Sequence, residues 1–285
     1  MSRIAVITDT DASLPAPLAA RYGIRQVPII VQFGDEAFET GVDIDDTATF
    51  ARVDREGRLP TTSAPPPARF AEAFEAAFAD GATTVLCFCV SAAVSATHNS
   101  ALIASGLFPG RDIRVVDSRT ISMAIGFQAL AATRAAEAKA TPEEALAAAE
   151  AVAGRTSIYA ALTTLKYLAM SGRVGHLAAG MAAILDVKPI LTVRDGKLEM
   201  LERVRSRQRS WQRLLDLTQT ALAGRAVQEA AVLHVAVPDD AERLRSHLLA
   251  ALPNAPEVVV AELTPGLSVH GGPGMVGIVA VAEGA

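Results

Sequence analysis

Two groups of hydroxyl side chains precede predicted helices and are well suited to bind an anion. One group lies in a proline-rich turn before a helix that begins near Ala68, and the other lies at the start of a helix that ends near Ser105. Free N–H groups at a helix N-terminus attract negative charge, and hydroxyls donate hydrogen bonds to it. Ordinary helix caps use the same residue types, so both interpretations remain open. The hydroxyl residues are Thr61, Thr62, Ser63, Ser95 and Thr97.

A histidine near the C-terminus is the next candidate. His270 is followed by Gly271, Gly272, Pro273 and Gly274. Glycines let the backbone approach a ligand closely, and an imidazole can donate or accept a hydrogen bond. A structural turn is the competing explanation, so this segment is predicted to be a loop in which His270 either binds a ligand or completes a turn.

Two aspartates favour a different chemistry. Asp9 and Asp11 follow the first predicted strand with the spacing of the nucleophile and general acid of haloacid-dehalogenase-like phosphatases. An acidic pair for Mg²⁺ does not follow in the same half, because Asp239 and Asp240 come only after the pattern of elements has changed. A Mg²⁺-dependent phosphatase is therefore the alternative function, and it leaves the hydroxyl groups and His270 unexplained.

The histidines and cysteines lack the spacing of metal ligands, and the sequence lacks the usual nucleotide-binding loops. His176, His234 and His247 have no ligand spacing to one another or to the cysteines. Cys87 and Cys89 lie two apart in an apolar run, which predicts reduced core thiols. No Walker loop or glycine-rich dinucleotide fingerprint follows a strand. We expect no metal and no cofactor.

Strands and helices alternate in the first half of the chain. This pattern predicts βαβ units and a Rossmann-like parallel sheet with helices on both faces. Strands are predicted over residues 4–7, 27–33, 84–90 and 113–116, and helices over 14–22, 45–56, 68–79, 94–105 and 121–138.

The pattern changes near residue 155, after a helix over 141–153. The sequence Arg194-Asp195-Gly196 predicts a hairpin turn between two strands. We therefore predict an α/β protein with a first domain over 1–155 and an α+β domain over 156–285. Strands of the second domain are predicted over 157–162, 187–193, 197–204, 231–237, 258–263 and 276–281, and helices over 206–223 and 240–251.

Composition narrows the classes of partner. The 285 residues are 51% apolar with a net charge of −5, and no basic block marks a nucleic-acid site. The N-terminus lacks the apolar segment of an export signal, which predicts a cytoplasmic protein. Residues 81–110 carry no charge, but their many polar, glycine and proline residues argue against a transmembrane segment.

Seven motifs in order resemble the DegV family of bacterial lipid-binding proteins, which includes the fatty-acid-binding subunits of the fatty acid kinase. The resemblance covers nearly the whole chain, and the order of the motifs makes it specific. The motifs are Ile7 to Pro15, Pro60 to Pro65, Ser91 to Ser100, Val116-Asp117-Ser118, Leu168 to Val174, Val187 to Leu191 and His270 to Gly274.

This sequence departs from the family pattern at three positions. Ala92 stands where a second serine is usual, Ala96 where glycine is usual, and His98 where tyrosine is common. One hydroxyl is lost and the backbone beside the pocket is less permissive, which predicts a head-group geometry that differs from the family pattern.

The resemblance implies a carrier of long-chain fatty acids such as palmitate, stearate or oleate, held between the two domains. It implies that Thr61, Thr62, Ser63, Ser95, Thr97 and His270 bind the fatty acid. A separate kinase would phosphorylate the carboxylate, and the chain itself would not be an enzyme. Arg173, in a Gly-Arg turn, and Arg205 are the candidates to meet the kinase or the phosphate at the pocket mouth.

Overall fold

The computed structural model describes residues 3–173, 187–252 and 255–284. The strands of the first half are β1 (Ile4–Asp9), β2 (Arg25–Val27), β3 (Ile30–Phe33), β4 (Glu36–Glu39), β5 (Thr61–Ser63), β6 (Thr84–Cys89) and β7 (Asp112–Asp117). Those of the second half are β8 (Thr156–Ala161), β9 (Lys188–Arg194), β10 (Lys197–Val204), β11 (Val227–His234), β12 (Val258–Glu262) and β13 (Val276–Ala282).

Ten α-helices lie within the described residues. They are α1 (Ala16–Arg21), α2 (Asp46–Glu56), α3 (Pro67–Ala79), α4 (Thr97–Ser105), α5 (Met123–Glu137), α6 (Pro142–Ala153), α7 (Lys166–Met170), α8 (Arg207–Leu222), α9 (Pro238–Ala251) and α10 (Pro265–Gly271). A short 3₁₀ helix, Thr10–Ala12, follows β1 directly. None of these helices is both long and apolar enough to cross a membrane.

The first sheet confirms the predicted parallel sheet. Its order is β2-β1-β6-β7, and each neighbouring pair is parallel. Successive side chains of a strand face opposite sides, and here Leu86 packs with α5 whereas Val85 packs with α3 and α4. Helices therefore cover both faces. The thiols of Cys87 and Cys89 are buried and free in β6, as predicted.

The second sheet is mixed and has the order β10-β9-β8-β13-β11-β12. Only β11 and β12 are parallel, and the other neighbours are antiparallel. The helices α8 and α9 pack on one face, in a cluster that includes Leu214 and Leu244. All strands of the first sheet come before residue 155 in the sequence, and all strands of the second sheet come after it. One apolar cluster nevertheless includes residues of both sheets, so the division into domains at residue 155 stays a prediction.

Helix α5 lies between the two sheets. It contacts β1 and β6 of the first sheet and β8, β11 and β13 of the second. Every residue from Met123 to Leu130 is buried, which explains why this helix is uncharged over that length. The two sheets therefore share one apolar core.

A third, antiparallel sheet with the order β4-β3-β5 was not predicted. The prediction of one strand over 27–33 is wrong, because β2 joins the first sheet and β3 joins the third. Pro28 separates them, and proline has no N–H to continue a ladder. The predicted turn over 60–67 likewise contains β5, whose partner β3 is about thirty residues away in the sequence.

Helices α7 and α10 were not predicted. Several other differences are shifts of element ends. Helix α4 begins at Thr97 rather than at Val94, and β11 covers Val227–His234 rather than 231–237. The strand cannot continue through Ala236, whose φ of 54° is left-handed. The first residues of β11 include the polar Gln228 and Glu229, so the apolar pattern did not indicate where this strand begins.

The Asp-Gly hairpin is confirmed, and its turn touches the first half of the chain. Asp195 and Gly196 both have positive φ, 50° and 78°, as a two-residue turn of this kind requires. The Ser91 hydroxyl donates a hydrogen bond to the Gly196 carbonyl at 2.8 Å. A Cβ on Gly196 would lie 2.5 Å from the Ser91 Oγ, so only glycine fits this contact.

We expect Gly196→Ala to destabilise the protein more than Gly224→Ala does. Both glycines have a φ of 78°, but a Cβ on Gly224 would have no neighbour within 4 Å. Backbone strain of about 1–2 kcal/mol is common to both variants, and the clash with Ser91 adds at least about 1 kcal/mol at Gly196. Urea unfolding of both variants measures the difference, and equal losses of stability would show that the contact between Ser91 and the hairpin contributes nothing.

Candidate functional site

A cavity of about 350 Å³ lies where the three sheets meet. Its wall is mostly aliphatic and is built from both halves of the chain. The aliphatic side chains of the wall are Ile29, Val90, Val94, Ile121, Ile158, Leu162, Leu168, Leu191, Val193, Leu198, Leu263 and Leu267. Such a surface binds an apolar ligand because contact with it removes hydrocarbon from water.

Strand β5 brings one predicted threonine to the cavity and leaves its neighbour outside. Thr62 pairs with Val31 of β3, lines the cavity and is partly buried, whereas Thr61 is exposed and does not line it. Adjacent residues of a strand face opposite sides, which accounts for the difference. Ser63 is exposed like Thr61 but also lines the cavity, so the alternation does not hold at the last residue of β5.

The second hydroxyl group lies at the start of α4. Ser95 lines the cavity, and its Oγ is 2.8 Å from the Oγ1 of Thr97. The backbone N–H of Thr97 donates to the Ser95 Oγ at 3.3 Å. Thr97 is fully buried and is not part of the cavity wall, so it contacts Ser95 rather than the cavity.

His270 joins the first hydroxyl group. Its Nε2 lies 3.2 Å from the Oγ1 of Thr62, and the imidazole lines the cavity. If Nε2 carries the hydrogen and donates to Thr62, the hydroxyl hydrogen of Thr62 remains available to a ligand. No donor or acceptor among the described residues reaches Nδ1. The side chains of Thr62 and His270, 208 residues apart, thus form a polar patch in a wall that is otherwise mostly apolar.

Burial keeps His270 neutral. Desolvation, followed in importance by the positive charge of Arg173, lowers the pKa of His270 from 6.5 to about 4. At neutral pH the imidazole is therefore uncharged, and it offers hydrogen bonds rather than a positive charge.

The prediction of a loop around His270 is wrong. His270 lies in the last turn of α10, which begins with a proline at its first position, a favoured start for a helix. Of the glycines that follow, Gly271 lines the cavity, whereas Gly272 and Gly274 make room for protein side chains. A Cβ on Gly272 would lie 2.2 Å from the ring of Tyr167, and one on Gly274 would lie 2.8 Å from Thr163.

The two predicted arginines occupy different places. Arg173 is exposed and also lines the cavity, so it lies at the cavity mouth. Arg205 is exposed directly after β10 and is not part of the cavity wall. Val174, the last residue of the Gly-Arg motif, lies outside the described residues.

Asp9 is fully buried and is held by the backbone. Its two oxygens accept hydrogen bonds from the N–H groups of Asp11, at 2.9 Å, and Val90, at 2.7 Å. Burial raises the pKa of Asp9 to about 7. A nucleophile needs an oxygen free to attack, so this arrangement disfavours the phosphatase interpretation.

Asp11 lines the cavity, which sequence reasoning missed. Its residue type and its spacing to Asp9 indicated acid catalysis, and only the position of α10 shows that it faces an apolar space. Ala96 also lines the cavity, whereas Ala92 and His98 do not.

No group of three or more His, Cys, Asp or Glu side chains is placed to hold a metal ion within residues 3–173, 187–252 and 255–284. His176 lies outside these ranges. The hydroxyls and the imidazole are instead suited to an anionic or polar head group.

Comparison with known proteins assigns the chain to a family. A family model described as an uncharacterised protein of the DegV family matches residues 3–283. A DegV domain-containing protein of Streptomyces coelicolor is 40% identical over 280 residues, which are 98% of this chain and 99% of that protein.

Solved structures show the same fold. A fatty-acid-binding DegV family protein of Thermus thermophilus has a TM-score of 0.92 and 32% identity, covering 99% of this chain and 100% of that one. DegV of Bacillus subtilis, a fatty acid binding protein, has a TM-score of 0.90 and 26% identity with the same coverage. Because the family model matches nearly every residue, the chain belongs to the DegV family.

Proposed function

We propose that this protein binds a long-chain fatty acid, such as palmitate, stearate or oleate, and presents the carboxylate to a separate kinase. The proposal depends on one observation: the cavity is lined mostly by aliphatic side chains and has a polar patch formed by Thr62 and His270. Fatty acid binding by the Thermus and Bacillus relatives supports it.

The cavity suits an acyl chain in size and chemistry. Its volume of about 350 Å³ is within the range of about 300–1,000 Å³ typical of small-molecule sites. Each methylene moved from water to such a wall contributes about 0.8 kcal/mol. The acyl chain would therefore supply most of the affinity, while the polar residues set its direction.

The carboxylate would be held by the hydroxyls of Thr62, Ser63 and Ser95 and by His270. Ser95 lies two residues before the first residue of α4, whose first N–H groups favour an anion. Thr97 would position Ser95 through the hydrogen bond between their hydroxyls. Thr61 faces away from this group.

The kinase would transfer a phosphoryl group from ATP to the carboxylate, giving an acyl phosphate and ADP. We expected both arginines to serve this step rather than the lipid pocket. Arg173 lines the cavity and lies close enough to His270 to lower its pKa, so we propose that it also attracts the carboxylate. Arg205 would meet only the kinase or the transferring phosphate.

Thr62→Val and Ser95→Ala should weaken palmitate binding by about 1–3 kcal/mol each, because each removes one donor to a buried carboxylate. Thr61→Val is the matched control, since it makes the same change one residue away, outside the cavity wall. Isothermal titration calorimetry measures all three. Unchanged affinity in both cavity variants, or an equal loss in Thr61→Val, would contradict the assignment.

The His270 imidazole should titrate near pH 4 in the ligand-free protein, below its ordinary 6.5. NMR of the ring measures this, with His270→Gln to assign the signal. Palmitate should raise this pKa, because a nearby negative charge favours the protonated ring. The unfolded chain binds the proton more tightly, so His270 stabilises the fold above pH 6.5 and loses that contribution as the pH falls towards 4. A ligand-free midpoint at 6.5 would show that the ring is not buried.

Arg205→Ala should slow acyl-phosphate formation in an assay reconstituted with the kinase, while palmitate affinity changes by only a few tenths of a kcal/mol. Arg173→Ala should lower both the affinity and the rate. The division of roles fails if Arg205→Ala loses palmitate as severely as Arg173→Ala does, or if neither variant affects phosphorylation.

A further inference from the structure

Asp11 is a polar residue of the cavity that the proposed carboxylate site does not use. It lies in the 3₁₀ helix that follows β1, is only 5% exposed and lines the cavity. Its Oδ1 is buried and has no hydrogen-bond partner among the described residues. A buried polar atom without a partner is costly, which favours a ligand group that completes it.

The absence of a side chain at Gly266 lets the Asp11 carboxyl group lie close to the backbone of α10. A Cβ on Gly266 would lie 2.2 Å from the Asp11 Oδ1 and 2.9 Å from Ile29, so the carboxyl group packs directly over the Gly266 backbone. Gly266 and Ile29 both line the cavity. The carboxyl group of Asp11 therefore lies at the cavity wall, with its Oδ1 packed against the backbone of Gly266.

Asp11 lies about one helical turn from the head-group site. Gly266 and His270 are four residues apart in α10, which is about 6 Å along the helix. The carboxyl group of Asp11 thus faces a part of the ligand near its carboxylate but beyond the reach of the His270 ring.

The charge state of Asp11 is compatible with an anionic ligand nearby. Burial, and after it the neighbouring carboxyl of Asp9, raises the pKa of Asp11 well above its ordinary value, and the nearby Thr264 side chain opposes this shift to a smaller extent. The neutral carboxyl does not repel a fatty acid carboxylate. It can both donate and accept hydrogen bonds, as a hydroxyl group can.

We infer that Asp11 is a second polar subsite that selects fatty acids with a hydroxyl group on the carboxyl-proximal part of the chain. An unsubstituted chain offers the Asp11 carboxyl group no hydrogen-bond partner, whereas a hydroxylated chain offers one from the cavity side. This inference rests on the proposed fatty acid binding and adds the class of substrate.

The test compares palmitate with three hydroxylated palmitates, substituted at the β, δ or ω carbon, in calorimetric titrations of the wild type. The β or the δ compound should bind about five- to tenfold more tightly than the ω compound, the worth of one hydrogen bond to a buried partner. The ω compound carries the same hydroxyl at the far end of the chain and controls for polarity. A wild type that binds all three equally overturns the inference without any variant.

Asp11→Ala should abolish this preference, and Asp11→Asn, which keeps a hydrogen-bonding group of the same shape, should retain part of it. Ile29→Val is the matched control for cavity shape and should shift the affinities of all the compounds in the same direction. If palmitate binds and the preference persists in Asp11→Ala, Asp11 is not the subsite. If none of the fatty acids binds the wild type, the proposed function itself fails.

Discussion

The apolar core shared by the two larger sheets is the feature on which the rest of this structure depends. Helix α5 is buried between them and contacts strands of both. Neither sheet can cover its inner face without the other, because each would expose aliphatic side chains to water. The cavity lies in this shared core, so its shape depends on how the two halves of the chain are held together. The contact between Ser91 and the hairpin turn at Gly196 is one such link.

Desolvation explains the polar residues of the cavity. A charged group in an aliphatic wall loses its hydration, so the pKa values of Asp11 and His270 both shift towards the neutral form. A site of neutral hydrogen-bonding groups can admit one anion without a fixed countercharge inside the cavity. Arg173 supplies positive charge at the mouth, where water still solvates it.

The parallel sheet and the Asp-Gly hairpin were predictable because their signals are local, such as an apolar run or a turn sequence. The third sheet was not predictable from local signals, because β3 and β5 pair across about thirty residues. In addition, β2 and β3 lie in one mostly apolar run, and only Pro28 marks the place where the chain passes from the first sheet to the third. Thr62 and His270 were identified through the family resemblance, because nothing in the local sequence pairs residues that far apart. Asp11 was considered only in the alternative phosphatase interpretation, since a carboxyl group in the sequence carries no sign of its burial.

Mass spectrometry of the intact protein under native conditions, followed by analysis of its extracted lipid, tests the central claim most directly. The account predicts one long-chain fatty acid per chain, either retained through purification or taken up when palmitate is added to delipidated protein. Protein that carries no fatty acid and takes up none would contradict the account, whatever its fold.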